Sequence, residues 1–337
     1  MTGEGRTPLP IVPPPFRDER LTSWLERVAD VYLVSLNDLQ AHIGWSRPAL
    51  QLELEPAEAD MERIAAATNF SVERLFAMTF DDAPPRYRSL LRPDSREICP
   101  ACSRGLQRPQ RLRAWAFAFS FRCDRHRQPL QSPDIRGANV MSDVGSACRG
   151  AEVLSDWAKG GDTTIVPADA AISLLLAPHR RPSPPAPWEL ARLTHSARQA
   201  HAKELSLPCS RPVLGVIVPE FNSAVPVYNQ LLPRALPGLR DAPFAERYAI
   251  ATGVARLQKN PAAAVARVLD ASDEFGREKV MALIDRWPAA VRNAVARGFC
   301  RTMTRGKGKG RAKKARFTRR RVHAPSGRDA WRDRADA

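Results

Sequence analysis

The sequence predicts a mostly α-helical protein: an N-terminal helical, helix-turn-helix-like unit, a small cysteine-bearing module, a C-terminal helical unit and a disordered basic tail. Three observations carry this. Apolar residues recur at helical spacing through residues 16–92 and again through 244–300. Cys99-Pro-Ala-Cys102 and Cys123-Asp-Arg-His126 form two C-x-x-C/H pairs a short segment apart. Residues 301–323 carry eleven Lys or Arg and no acid.

The N-terminal unit is assigned to residues 1–92. Leu21, Trp24, Leu25, Val28, Val31 and Tyr32 follow the i, i+3, i+4 pattern, with Glu26, Arg27 and Asp30 opposite. After a break at Ser35–Asn37 a short helix runs through Leu39 and Ile43 and stops at Gly44. Another begins near Glu58 and carries Met61, Ile64, Ala65 and Thr68. Asn69-Phe70 makes a turn, and Ser71 is placed to cap a second helix through Val72, Leu75 and Phe76. This corner, residues 61–78, has the outline of a helix-turn-helix, which either reads DNA or docks a protein.

Residues 93–135 are the second unit. A two-residue gap lets both side chains of a tight turn reach one ion, and four Cys or His donors suit tetrahedral Zn²⁺. Cys99, Cys102, Cys123 and His126 are therefore predicted to hold one zinc per chain. With all four positions filled by protein, the site is structural rather than catalytic. Trp115, Phe117, Phe119 and Phe121 alternate with Ala114, Ala116, Ala118 and Ser120, a period of two that predicts a strand with one aromatic face. Metal turn, strand and metal turn together describe a zinc ribbon, in which the metal replaces a core too small to hold itself. Eight arginines stand against Glu97 and Asp124 between residues 95 and 130. Of these, Arg104, Arg108, Arg111 and Arg113 are predicted to contact nucleic-acid phosphates.

A helical segment is assigned to 136–177, read most clearly from Ala151 to Leu176. A proline-rich linker region follows over 178–243, stiff at 178–187 and with only short strands such as Val213–Val218. The C-terminal helical domain, 244–300, has Pro261 opening one helix and Trp287-Pro288 breaking the next pair. Leu283, Ile284, Trp287, Val291, Ala294 and Val295 are its expected core. The tail, 301–337, is expected to be disordered alone and to bind nucleic acid through Arg305, Lys307, Lys309, Arg311, Lys313, Lys314, Arg316, Arg319, Arg320 and Arg321. Its Gly-Lys alternation lacks the G-x-x-x-x-G-K-[ST] of a phosphate loop.

Charge points to an anionic polymer. Lys plus Arg number 52 against 36 Asp plus Glu, a net +16. No apolar run approaches the roughly 18 residues of a spanning helix, and Met1–Pro15 lacks the apolar core of a signal peptide. The expectation is a cytoplasmic, nucleoid-associated bacterial protein with Cys148, Cys209 and Cys300 reduced. Catalysis would need an assembled constellation. The acidic pairs Asp81-Asp82 and Asp273-Glu274, with Asp270, sit at expected helix ends where carboxylates cap, and His195 and His201 lie on an expected polar helix with no assembled nucleophile–base pair. The chain is read as a non-enzyme.

The opening Val12-Pro13-Pro14-Pro15 followed by Asp18-Glu19-Arg20-Leu21-Thr22-Ser23-Trp24-Leu25-Glu26-Arg27-Val28-Ala29 resembles that of TniQ-family proteins, a proline-bearing strand and then an E-S-L-x-S-W-L-x-R-x-A type helix. The order Cys99-x-x-Cys102, Trp115, Cys123-x-x-His126, Leu130 is similar to the zinc module of the same family, so the resemblance covers residues 10 to 130. It implies a non-catalytic transposition accessory protein that binds DNA, helps select the target site and recruits the transposon AAA+ ATPase. A transposase or a guide-RNA targeting complex are further implied partners, and a homodimer is a further expectation for the chain itself. Carried over, Cys99, Cys102, Cys123 and His126 are the zinc ligands, and Trp24 and Trp115 are core. Arg20 departs from the usual Ser, and Gln131-Ser132-Pro133-Asp134 stands where many members have a second C-P-x-C pair. The competing expectation is a zinc-containing helix-turn-helix transcription regulator.

Overall fold

The fold is known from a computed structural model, which describes residues 8–131, 142–161, 164–224 and 236–297. The tail cations from Arg305 to Arg321, and Cys300, lie outside the described residues. The described residues all belong to one compact unit within residues 1–299.

The first helices follow their caps. Helix α1 (Leu21–Val31) buries Leu21, Trp24, Leu25 and Val28 and leaves Val31 exposed. Ser35 opens α2 (Leu36–Ile43) with a reciprocal capping box to Asp38, and Gly44 ends it at φ 83°, a left-handed conformation that glycine adopts without strain. Helix α3 (Ala49–Leu54) follows, and then α4 (Glu58–Thr68), which ends on left-handed Asn69. Ser71 then accepts the Arg74 N–H to start α5 (Val72–Phe76). Side chains of these helices form one apolar cluster centred on Trp24, Leu52, Met61 and Ile64. The proline segment before α1 forms no strand. It is held by Trp24 Nε1, which donates to the Pro13 carbonyl at 2.8 Å, and by Arg27, which donates to Pro14.

The short α6 (Pro85–Arg88) leads into the cysteine module. The predicted aromatic strand is absent: Arg113–Ala116 is a 3-10 turn, and only isolated bridges remain, at Glu19–Leu112, Leu91–Phe117, Ile98–Gln131 and Arg122–Pro129. A one-faced strand needs one wet face, yet Ala116 and Ala118 are as buried as the aromatics they alternate with. The segment threads between two cores. Trp115 joins Cys99, Cys123 and Leu130, while Phe117, Phe119 and Phe121 enter the main core.

That main core is built by α7 (Val144–Ala158), α8 (Ala168–Leu176) and the helices from residue 244 onward. Between them, β1 (Pro178–Ser183) pairs antiparallel with β2 (Cys209–Pro212), so the stretch expected as a linker is extended but paired. Three short helices lie between the strands: α9 (Pro187–Ala191), α10 (His195–Ala200) and α11 (Ala202–Leu205). Val213–Val218, expected as a strand, is instead helical as α12 (Leu214–Ile217), and α13 (Phe221–Ala224) comes next. Leu214 and Ile217 of this turn are fully buried, so packing overrides the β preference of its valines.

Helix α14 (Phe244–Lys259) is the central element and α7 lies across it. At the crossing a Cβ on Gly150 would fall 1.8 Å from the Ala251 carbonyl oxygen, so only glycine permits this approach. Asn260 caps α15 (Pro261–Ala271), where Pro261 takes the first turn as expected, and Asp273 caps α16 (Glu274–Ile284). Trp287-Pro288 ends that run before a further helix over 289–297. Ile284, Trp287, Val291 and Val295 are buried as expected, and Leu283 packs against them partly buried. Among the described residues no helix is long and apolar enough to cross a membrane.

Candidate metal centre

Two turns bring the four predicted ligands together. In the first, Cys99 accepts the Ser103 N–H on its carbonyl at 3.0 Å. In the second, Cys123 N–H donates to the Gln128 carbonyl and its own carbonyl accepts from Arg127 N–H, with Arg127 left-handed at φ 55°. An isolated bridge, Ile98 N–H to the Gln131 carbonyl at 2.9 Å and Gln131 N–H to the Ile98 carbonyl at 2.8 Å, ties the residue before the first turn to the segment that leaves the second.

The donor atoms of Cys99, Cys102, Cys123 and His126 all lie within 4.8 Å of one another. Cys102 Sγ is 3.7 Å from Cys123 Sγ, and His126 Nδ1 is 3.6, 3.2 and 3.8 Å from the sulfurs of Cys99, Cys102 and Cys123. Tetrahedral Zn²⁺, about 2.3 Å from sulfur and about 2.0 Å from nitrogen, sets sulfurs about 3.8 Å apart and sulfur about 3.5 Å from nitrogen. The geometry fits. The cysteines are free of disulfides, so all three thiols are available. Burial pushes the Cys102 thiol up to about 12, and the neighbouring Cys123 and Cys99 thiols add to this. Cys99 is pulled the other way: burial raises it, but the Cys102 backbone N–H, the Cys123 thiol and the Ala101 N–H outweigh that and hold it below the ordinary thiol range. Three buried sulfurs can be thiolates together only beside a cation, and a divalent ion would displace their protons.

No position is left open for water or substrate if the four bind one ion. This is the only group of three or more metal-capable side chains among the described residues. The acidic candidates do not join it. Asp82 binds Arg113 at 2.6 Å, Asp81 lies beside Arg88, Asp273 caps α16 through Gly276 N–H at 2.8 Å, and Asp270 is exposed on α15.

Around the metal turns, charge is used for docking. Arg111 N–H donates to Ser23 Oγ and its guanidinium binds Glu26 at 2.6 Å, while Arg108 spans Glu26 and Asp30. Arg113 binds Asp82 and the Ala77 carbonyl. Three of the four arginines expected to face phosphate are thus engaged with the N-terminal helices, whereas Arg104 is exposed. Beneath them, Arg20 is fully buried against Glu53 at 2.6 Å and also donates to the Pro93 carbonyl. The arginine that departs from the usual Ser therefore ties α1 and α3 to the start of the metal module. On the other side Glu97, two residues before Cys99, is buried between Arg92 at 2.8 Å and Arg247 of α14 at 2.9 Å. No local pattern could have disclosed this last pair, since its partners stand 150 residues apart.

The TniQ family model matches residues 10–130, from the proline segment to the last bridge of the metal module. This segment belongs to the TniQ family. No curated protein and no solved structure matches the chain. The TniQ segment contains both the helical unit around Trp24 and all four metal-capable side chains. Trp24 and Trp115 are both core within it. A TniQ domain implies a transposition-associated accessory role, and the family is generally non-catalytic.

Proposed function

We propose that this protein is a non-catalytic DNA-binding accessory factor of transposition, which helps select the target site and recruits the transposon's AAA+ ATPase. The TniQ segment is the observation that carries the reading. A four-ligand Cys₃His cluster suited to a structural Zn²⁺ and the net charge of +16 support it. On this reading it performs no strand chemistry: in-line phosphoryl displacement with Mg²⁺ needs clustered carboxylates, whereas Asp273 caps α16, Asp81 and Asp82 meet Arg88 and Arg113, and Asp270 stands exposed away from them. A transposase or a guide-RNA targeting complex would act beside it.

The test uses the full chain with Mg²⁺, labelled duplex DNA and the candidate ATPase. DNA is expected to stay uncut and to pull down the ATPase only when this protein is present. Cleavage lost on Asp270→Ala or Asp273→Ala would overturn the reading, as would ATPase loading that is indifferent to the protein. The α4–α5 corner offers the alternative role of a transcription regulator. A palindromic operator bound more tightly than random duplex, with no capture of the ATPase, would favour that instead.

The basic tail is assigned to holding DNA without regard to sequence. If about five of its cations meet phosphates, log K falls with log salt by roughly 4.5 units more in the full chain than in residues 1–300. Equal slopes would remove the tail from the interface.

A further inference from the structure

Trp188 is 60% exposed on α9, far more than a large aromatic needs to be in a chain that buries Trp24, Trp45, Trp115, Trp157 and Trp287. Arg192, one turn on, places its guanidinium 5.2 Å from the centre of the Trp188 ring. Arg198 reaches back to the same helix end, donating to the Leu193 carbonyl at 2.9 Å and to Ala191. Among the described residues its guanidinium meets backbone carbonyls and no carboxylate. The nearest acid, Glu189, is already committed: it accepts the Ala186 N–H at 2.9 Å and binds Arg211. Arg211 in turn pairs across β2 with Arg180 of β1, and exposed Arg181 follows on the same strand. The remaining acid of the excursion, Glu204, faces His201 at 3.3 Å, and Asp273 meets the Arg181 backbone N–H.

We propose that the β1–β2 excursion, residues 178–211, is a nucleic-acid contact, with phosphates on Arg192, Arg198 and Arg181 and an unstacked base on the open face of Trp188. The chemistry is specific in kind. A guanidinium over one ring face leaves the other for a base, and aromatic platforms flanked by cations hold single-stranded or locally unpaired nucleic acid without reading sequence. A duplex offers phosphates to the arginines but no base to the tryptophan. The proposal rests on the DNA-binding reading above and gives it a second site within the folded body.

The full chain is titrated against a fluorescent single strand of about 15 nucleotides and a duplex of the same sequence. Trp188→Ala is expected to weaken the single strand about tenfold and the duplex much less, with Trp188→Phe recovering most of the loss. Arg192→Gln with Arg198→Gln is expected to weaken both probes and flatten the single-strand salt slope by about 1.4. Wild-type affinity of all three variants for both probes overturns this contact while leaving DNA binding standing. No affinity of the unaltered chain for either probe overturns both. Loss of binding to phosphatidylserine vesicles in the variants, with oligonucleotide binding unchanged, would also overturn it.

Discussion

Cys102→Ser is expected to abolish zinc binding and unfold the metal module, whereas Cys148→Ser keeps the metal. Metal analysis should give one zinc per unaltered chain and none in the Cys102 variant. The size of the effect follows from the chemistry. A structural zinc contributes on the order of 10 kcal/mol in small modules, comparable with the whole stability of an ordinary domain. Loss of one thiolate also leaves two buried sulfurs and an imidazole around a site they cannot close. The damage is not confined to the two turns, because Phe117, Phe119 and Phe121 of the same module are fixed in the main core. Near-ultraviolet circular dichroism should therefore change over the whole protein when the metal is stripped by a chelator. Zero or two zinc ions per unaltered chain would contradict the assignment.

Glu97→Ala is the second large effect, expected to cost about 3–5 kcal/mol in urea unfolding. The variant leaves Arg247 buried at 2% exposure with only the carbonyls of Ala118 and Ala242 as acceptors. An uncompensated buried guanidinium is far worse than no ion pair. Glu97→Leu combined with Arg247→Met is therefore expected to recover much of the loss. A single-variant loss below about 1 kcal/mol would mean that water reaches the pair. Because Glu97 stands only two residues before Cys99, zinc content in Glu97→Ala separates the two causes: retained metal with lowered stability assigns the loss to Arg247.

Where local chemistry decides structure, the sequence was legible. Ser35, Gly44, Asn69 and Ser71 mark helix ends through their own side chains or φ angles, and each does so in the fold. The meeting of Cys99, Cys102, Cys123 and His126 in one metal-capable cluster was legible for the same reason, since a two-residue gap is a local constraint. What escaped depends on distant partners. The alternation of aromatics with alanines from Ala114 to Ser120 looks like a half-wet strand only while one assumes a single core; here a core lies on either side. The arginines of the module look like an unpaired cationic face because Glu26, Asp30 and Asp82, which engage three of them, lie far earlier in the chain. Trp188 and Arg192 stand inside a proline-rich stretch, where only the paired strands show that the segment is built.

The place where the family match ends has a consequence for how such proteins diversify. Residue 130 bounds a recognisable lineage, but three phenyl rings from just before it are seated among helices that come after it. A genetic exchange at that boundary would deliver plugs without their sockets. Any new C-terminal half has to arrive with apolar recesses for Phe117, Phe119 and Phe121 and an arginine to meet Glu97. Outward surfaces of the later helices are therefore free to change, while their inward faces stay answerable to the TniQ segment.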